Sequence, residues 1–405
     1  MKAALAGLAL CTAGAMAATA VDTDPNLWLS DIHGAKALAW VKDQNARSDA
    51  ALKSDPRYAQ DYAAILKSLD VPDRIPLGQL DHGFVYDFWQ GADHVRGLWR
   101  RTTVADYAAA APHWQTLLDL DRLDADEHVQ WVWEGAECAP GSDLCLVRLS
   151  PGGGDASVVR EFDLKTEAFV KDGFTLPVAK SNATYLDANT ILFASDFGPG
   201  TLTASSYPRI VKLWHRGTPI ANAKTVFEAQ PGDIAARPRV YSGPYGTIAL
   251  MVRGLTFFTA EFYLVDDKGG AAKIDVPVSA DLKGATGGWL IFLLRDGWTP
   301  TAYHAGPIPK GALIALDPKT HRLAVLTVPG PRNAIDTVSA GCDAVYASIY
   351  DNAIGSVHEF RPEGTRWSAR TLPLPAGGST TVVSTDDWSG NAQFVYESFL
   401  TPPTL

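Results

Sequence analysis

The chain has 405 residues, 46% of them hydrophobic and 20% charged, with 35 glycines and 26 prolines. This is the profile of a large, turn-rich globular protein and excludes a disordered chain. A formal net charge of −10 argues against nucleic acid or an anionic membrane as the main partner, and no run of 18 apolar residues follows the N-terminus to span a bilayer.

The first twenty residues, MKAALAGLALCTAGAMAATA, begin with a charged Lys2 and an apolar run from Ala3 to Ala13. Ala15-Met16-Ala17 and Ala18-Thr19-Ala20 both supply small-residue cleavage patterns. This is the layout of a signal peptide over residues 1–20, which predicts export, most simply to a bacterial periplasm. Leu10 stands before Cys11 where a lipoprotein needs a small residue, so lipidation is not expected.

Residues 21–72 differ in kind from the rest. Asp24 to Leu29 reads as an extended entry. Ala35 to Leu52 then reads as a helix with Ala37, Leu38, Val41, Asn45 and Leu52 near one face. Asp55-Pro56 starts a second helix, with Tyr58, Tyr62, Ile65, Leu66 and Leu69 at helical spacing, ended by Val71-Pro72.

From residue 73 to 405 the pattern is a repeated hairpin. Leu98-Trp99-Arg100 leads to Thr116–Asp119, Val158–Leu164 to Phe169, Lys212–Trp214 to Thr225–Phe227, and Tyr263–Val265 to Lys273–Val276. Ile314–Asp317 then leads to Ala324–Leu326, and His358–Phe360 to Ala369–Leu372. With Leu98, Phe162, Leu213, Leu264, Leu316 and Phe360 as anchors, the steps are 64, 51, 51, 52 and 44 residues. A period near 50 built of short strands is the signature of a β-propeller with about four strands per blade. The fold class expected is all-β: a seven-bladed propeller, its seventh blade incomplete, preceded by a short α-helical arm. Within it, Cys138 and Cys145 flank a six-residue turn and are candidates for a hairpin-stapling disulfide in an oxidising compartment. Cys342 has no evident partner and is expected to behave as a small core hydrophobe.

Several stretches carry a resemblance. Asp24-Pro25, Trp28-Leu29, Asp31, Trp40-Val41 and Gln44-Asn45 resemble the N-terminal entry of the prolyl oligopeptidase family of serine peptidases. Ser150–Gly153 with Arg160–Leu164, Ser205–Arg209 with Leu213–Pro219, and Phe399–Thr404 resemble the second, third and last blades of its bacterial members. The resemblance covers Asp24 to Leu405. It implies a propeller that gates access of short peptides to an α/β-hydrolase domain carrying a Ser-His-Asp triad, with the helical arm packed on that hydrolase. The 331 residues from Ile75 to Leu405 make six blades and a fraction at about 50 each, so truncation inside blade seven is expected. The hydrolase domain is then absent, and apolar faces of blades one and six are left partly uncovered.

No catalytic, cofactor or metal residues are assigned. A hydrolase nucleophile needs glycine two residues either side of serine at a strand-to-helix turn. Gly377-Gly378-Ser379 comes nearest, but Thr381 holds the far position. His82, His94, His113 and His128 are not spaced as metal pairs, and Asp121, Asp124, Asp126 and Glu127 read as a solvated loop. Gly152 to Gly154 reads as a hairpin tip. Trp89, Trp99, Trp131, Trp133, Trp214, Trp289, Trp298 and Trp388 sit in strand contexts and read as packing between blades, with Trp298 a candidate to line the central channel.

Three readings follow. The chain is the arm and propeller of an exported serine endopeptidase acting on short peptides; or a stand-alone periplasmic propeller that binds a peptide or protein; or an unrelated propeller enzyme such as a lactonase, which would need metal-binding carboxylates at the channel mouth. The first is preferred, because the apolar arm needs a covering domain. No cofactor, nucleic acid or membrane partner is expected.

Overall fold

The computed structural model describes residues 24–71, 74–109, 111–266 and 270–405; the signal-peptide expectation lies outside them. The chain divides after Val71 into two compact units.

The first unit holds helices α1 (Ala35–Lys53) and α2 (Tyr58–Leu69), preceded by a 3-10 turn over Leu27–Ser30. The rings of Trp28 and Trp40 meet edge to face with centroids 6.3 Å apart, and Lys36 Nζ sits 4.1 Å from the Trp28 ring. Ala37 is buried, whereas Leu38, Val41, Ile65, Leu66 and Leu69 are exposed.

Among the described residues the second unit holds seven antiparallel sheets in chain order. The first contains Gln79–Asp81, Phe84–Gly91, His94–Thr103 and Gln115–Asp119. Short helix α3 (Val104–Tyr107) follows its third strand, and α4 (Leu120–Glu127) its fourth. The second sheet starts at Trp131–Cys138 and has five strands, because Thr175–Ala179 pairs with Ser157–Asp163 beside the two-residue strand Ala168–Phe169. The third to sixth sheets have four strands each and open with Asn182–Asp187, Ala235–Gly243, Asp281–Thr286 and Asn333–Ala340. The seventh has two described strands, Ser379–Thr385 and Ala392–Glu397.

Period-2 alternation explains how these sheets stack. Ile191 and Phe193 face the second sheet, while Leu192 and Ala194 face the fourth. Leu290 and Phe292 pack on the fourth sheet, Trp289 and Ile291 on the sixth. Each middle sheet is buried on both faces, so its strands read as unbroken apolar runs such as TILFA and WLIFL. One apolar cluster fills each interface from first-second to sixth-seventh.

The joint between seventh and first sheets is different: among the described residues no apolar cluster spans it. Leu80 N donates to Ser384 Oγ (2.9 Å), and the amides of His82 and Gly83 donate to the two oxygens of Asp386 (3.2 and 3.0 Å). His82 and Gly83 have φ of 50° and 79°, the positive values of a two-residue hairpin turn that glycine favours; this turn aims both amides at one carboxylate. Asp386 is fully buried and also accepts from Trp388 N and Ser389 Oγ. For the sixth sheet the expectation of an uncovered apolar face is not met, since Val382 and Phe394 cover it. Strand alternation gives the first sheet's outer face Val85, Asp87, Trp89, Leu98, Arg100 and Thr102, with Asp87 and Arg100 paired at 2.8 Å and Trp89 and Leu98 half-buried.

Candidate functional site

The first strands of the sheets surround a cavity of about 870 Å³. Six of the seven sheets contribute: Gln79–Asp81 from the first, Glu134–Cys138 from the second, Tyr185 from the third, Val240 and Ser242 from the fourth, Ser339 and Ala340 from the sixth, and Val383–Thr385 from the seventh. Repetition places these side chains, since each sheet begins at the ring's centre and the same register recurs. One wall is aromatic. Phe88 and Trp133 stack with centroids 5.2 Å apart, and Trp99 lies 5.1 Å from Trp133. Trp388 also lines the cavity and stacks on His82 at 4.5 Å.

The charged residues lining this cavity are all carboxylates: Asp81, Asp87, Glu134, Glu137 and Asp387. Asp87 is neutralised by Arg100. Asp81 Oδ1 lies 2.6 Å from His82 Nδ1, and this bond raises the imidazole's pKa against the effect of burial. Glu137 accepts from the Thr184 hydroxyl; burial pushes its carboxyl up, while Arg148 and Arg239 pull the other way. The carboxylates of Glu134 and Asp387 have no hydrogen-bond donor or ion-pair partner among the described residues. Burial, with Asp81 and Asp386 beside it, pushes the Asp387 carboxyl up to about 7, and His82 offsets part of this. A cavity of this size with an aromatic wall and a few polar groups has the character of a ligand-binding site.

Cys138 lies on the rim and is bonded to Cys145 (S–S 2.03 Å) across the hairpin. With seven residues of separation the closed loop is short, so reduction should lower stability by on the order of 2 kcal/mol. Urea unfolding with and without reductant reads this directly; an unchanged midpoint after complete reduction would sink the expectation.

Other sequence expectations are redistributed. Ser379 begins a strand rather than an elbow, and its Oγ meets Tyr350 Oη at 2.5 Å. The acidic run Asp121, Asp124, Asp126 and Glu127 lies on helix α4, not on a loop. Asp119 caps that helix, Asp124 accepts from Trp131 N, and Glu127 binds Trp131 Nε1 and Arg160. His94, Asp119 and Asp121 bring ligand atoms within 4.8 Å of one another. Asp121, however, already accepts from the amides of Arg96 and Gly97, and Asp119 is the cap. His128 ends α4 with φ 57°, and His113 binds Asp106. Gly152 and Gly153 form the tip between the strands Leu144–Pro151 and Ser157–Asp163, with φ of 71° and 78°.

Trp298 does not line the cavity. It bridges to Ile308 and packs on Tyr303 at the fourth-fifth interface. The cavity tryptophans are Trp99, Trp133 and Trp388. Cys342 is half-buried rather than a core residue, and its amide donates to Asp386 O. Sequence reasoning missed Asp81, Glu134, Glu137 and Asp387. The usable signal was positional, since all four lie on or just past the first strand of a repeat.

Comparison with known proteins places these features. The family model described as "Prolyl oligopeptidase, N-terminal beta-propeller domain" matches residues 15–405. A Sinorhizobium fredii protein called uncharacterized peptidase y4nA is 35% identical over 410 residues, covering 96% of this chain and 56% of that protein. A Rickettsia prowazekii protein, uncharacterized peptidase RP174, is 27% identical, with 93% and 55% covered. A solved post-proline cleaving enzyme from Rickettsia typhi superposes with a TM-score of 0.85 at 27% identity, covering 93% of this chain and 58% of that one. The chain thus spans little more than half the length of the relatives it matches. Sheets in a closed ring around an open centre and a match along almost the whole sequence agree: the chain belongs to the family of prolyl oligopeptidase N-terminal β-propeller domains.

Proposed function

We propose that this chain is the substrate-admitting portion of an exported serine endopeptidase, and that its central cavity is the passage through which short peptides reach a hydrolase domain. The observation that carries the reading is the 870 Å³ cavity, ringed by first strands and walled by Trp99, Trp133 and Phe88, in a chain of the prolyl oligopeptidase family. The match to a post-proline cleaving enzyme supports proline-containing peptides as the substrate class. The leader-like sequence from Lys2 to Ala20 and the Cys138–Cys145 bridge support export.

The cavity volume of about 870 Å³ supports gating, since it accommodates a short peptide segment and is far smaller than a folded domain. No described serine sits on a strand-to-helix elbow, so the chemistry belongs to the partner domain. Purified chain should therefore leave a fluorogenic proline-containing peptide uncut. It should bind a capped, uncharged proline-containing decapeptide saturably, with a change in the fluorescence of the cavity tryptophans. The coding sequence beyond Leu405 should read on into a Gly-x-Ser-x-Gly elbow. Hydrolysis by the chain alone, or an absence of peptide binding, would overturn the reading.

A further inference from the structure

The charge on the cavity wall selects among peptides. This inference rests on the peptide-passage reading and adds a substrate class to it. Five carboxylates line the space, and no lysine, arginine or histidine does. Three already have neighbouring positive groups: Arg100 for Asp87, His82 for Asp81, and Arg148 with Arg239 for Glu137. The carboxylates of Glu134 and Asp387 have no hydrogen bond or ion pair among the described residues, with His82 beside Asp387 and Arg148 bonded only to the Glu134 carbonyl. Glu134 stands next to Trp133 in the second sheet, and Asp387 next to Trp388 at the end of the seventh sheet's first strand.

Unpaired carboxylates inside a recess differ from the same groups on an open surface. Low-dielectric walls focus their field into the cavity, where a charge of opposite sign is concentrated and one of like sign is repelled. Asp121, Asp124 and Glu127 on α4 do not have this character, being engaged by backbone amides, Trp131 and Arg160, and Asp386 is saturated by four donors.

We propose that the cavity is selective for cationic peptides: Glu134 and Asp387 receive a lysine or arginine side chain, or a free peptide α-ammonium, and peptides carrying aspartate or glutamate are excluded.

The test is calorimetric titration at pH 8 of the full chain with three acetylated, amidated decapeptides. They share one proline in a glycine-alanine background and differ only in two residues, which are lysine, glutamine or glutamate. At 20 mM salt the lysine peptide should bind about tenfold more tightly than the glutamate peptide, with the glutamine peptide between them, and the gap should narrow at 0.5 M salt. In Glu134→Gln, Asp387→Asn and the double variant the ratio should fall stepwise toward one. Asp126→Asn, on exposed α4, should leave the ratio intact. The Glu134 side chain is exposed and makes no hydrogen bond, so its variant leaves the fold undisturbed even if Asp387→Asn does not. Equal affinities for all three peptides, or a preference that survives the double variant, would overturn the charge selection and leave peptide passage standing. If the glutamine peptide also fails to bind, the passage reading falls and the selection falls with it.

Discussion

Replacing Arg216 with methionine should cost about 3–5 kcal/mol of stability, because it strands a buried carboxylate. Glu161 is 1% exposed in the second sheet. Both of its oxygens are held by the Arg216 guanidinium at 2.7 Å; Tyr185 Oη donates at 2.6 Å and Phe174 N at 3.2 Å. Arg216 follows the third sheet's strand Ile210–His215, so the pair ties two sheets together across an otherwise apolar interface. The ring of Phe174 lies 4.6 Å from the guanidinium carbon, which excludes water from one side. Removing the cation leaves an ion in a low-dielectric interface with one hydroxyl and one amide for solvation. Urea unfolding measures the loss. The double variant Glu161→Leu with Arg216→Met should recover much of it, since the cost lies in the unpaired charge rather than in the missing pair. A single-variant loss below about 1 kcal/mol would show that Glu161 finds other solvation there.

The second large effect is a pH dependence centred on Asp387. Its carboxyl is pushed up to about 7 in the folded chain, against an ordinary value of about 3.9. The folded state therefore holds this proton more tightly than the unfolded chain does. The stabilising contribution is fully present below about pH 4 and is lost as pH rises through about 7. Asp387→Asn cannot ionise, so it should gain on the parent chain between pH 5 and pH 8. Three pK units set a ceiling of about 4 kcal/mol, and partial solvation of the ion from the cavity brings the expectation to about 2 kcal/mol. The quantity to follow is the difference between the two urea midpoints across that range, which cancels every other titrating group. Parallel curves would remove Asp387 from the account.

The repeating sheets were legible because burial on both faces writes itself into the strands. Runs such as TILFA, and hairpin anchors about 50 residues apart, report stacking directly. The site was less legible. Asp387 lies in TDDWSGN, which reads as turn chemistry, and nothing local says that Asp386 turns toward the first sheet while Asp387 lines the cavity. Helix α4 was missed because LDRLDADE offers only Leu120 and Leu123 as large apolar residues; it forms on the Asp119 cap and on tertiary bonds from Asp124 and Glu127. Trp298 was misplaced because a tryptophan in a turn-rich stretch can serve a core as well as a channel. The neighbouring Tyr303, which decides between them, is visible only in three dimensions.

The polar joint between the last and first sheets also bears on folding kinetics. Its bonds from Leu80, His82 and Gly83 connect residues 303 or 304 positions apart. Closing a flexible loop of that length would cost about 5 kcal/mol in chain entropy, about as much as three such bonds return. On its own the clasp therefore gains almost nothing, and it becomes favourable once the intervening sheets have stacked and carried Asp386 to within reach of the Gly83 turn. Ring closure is accordingly expected late in assembly.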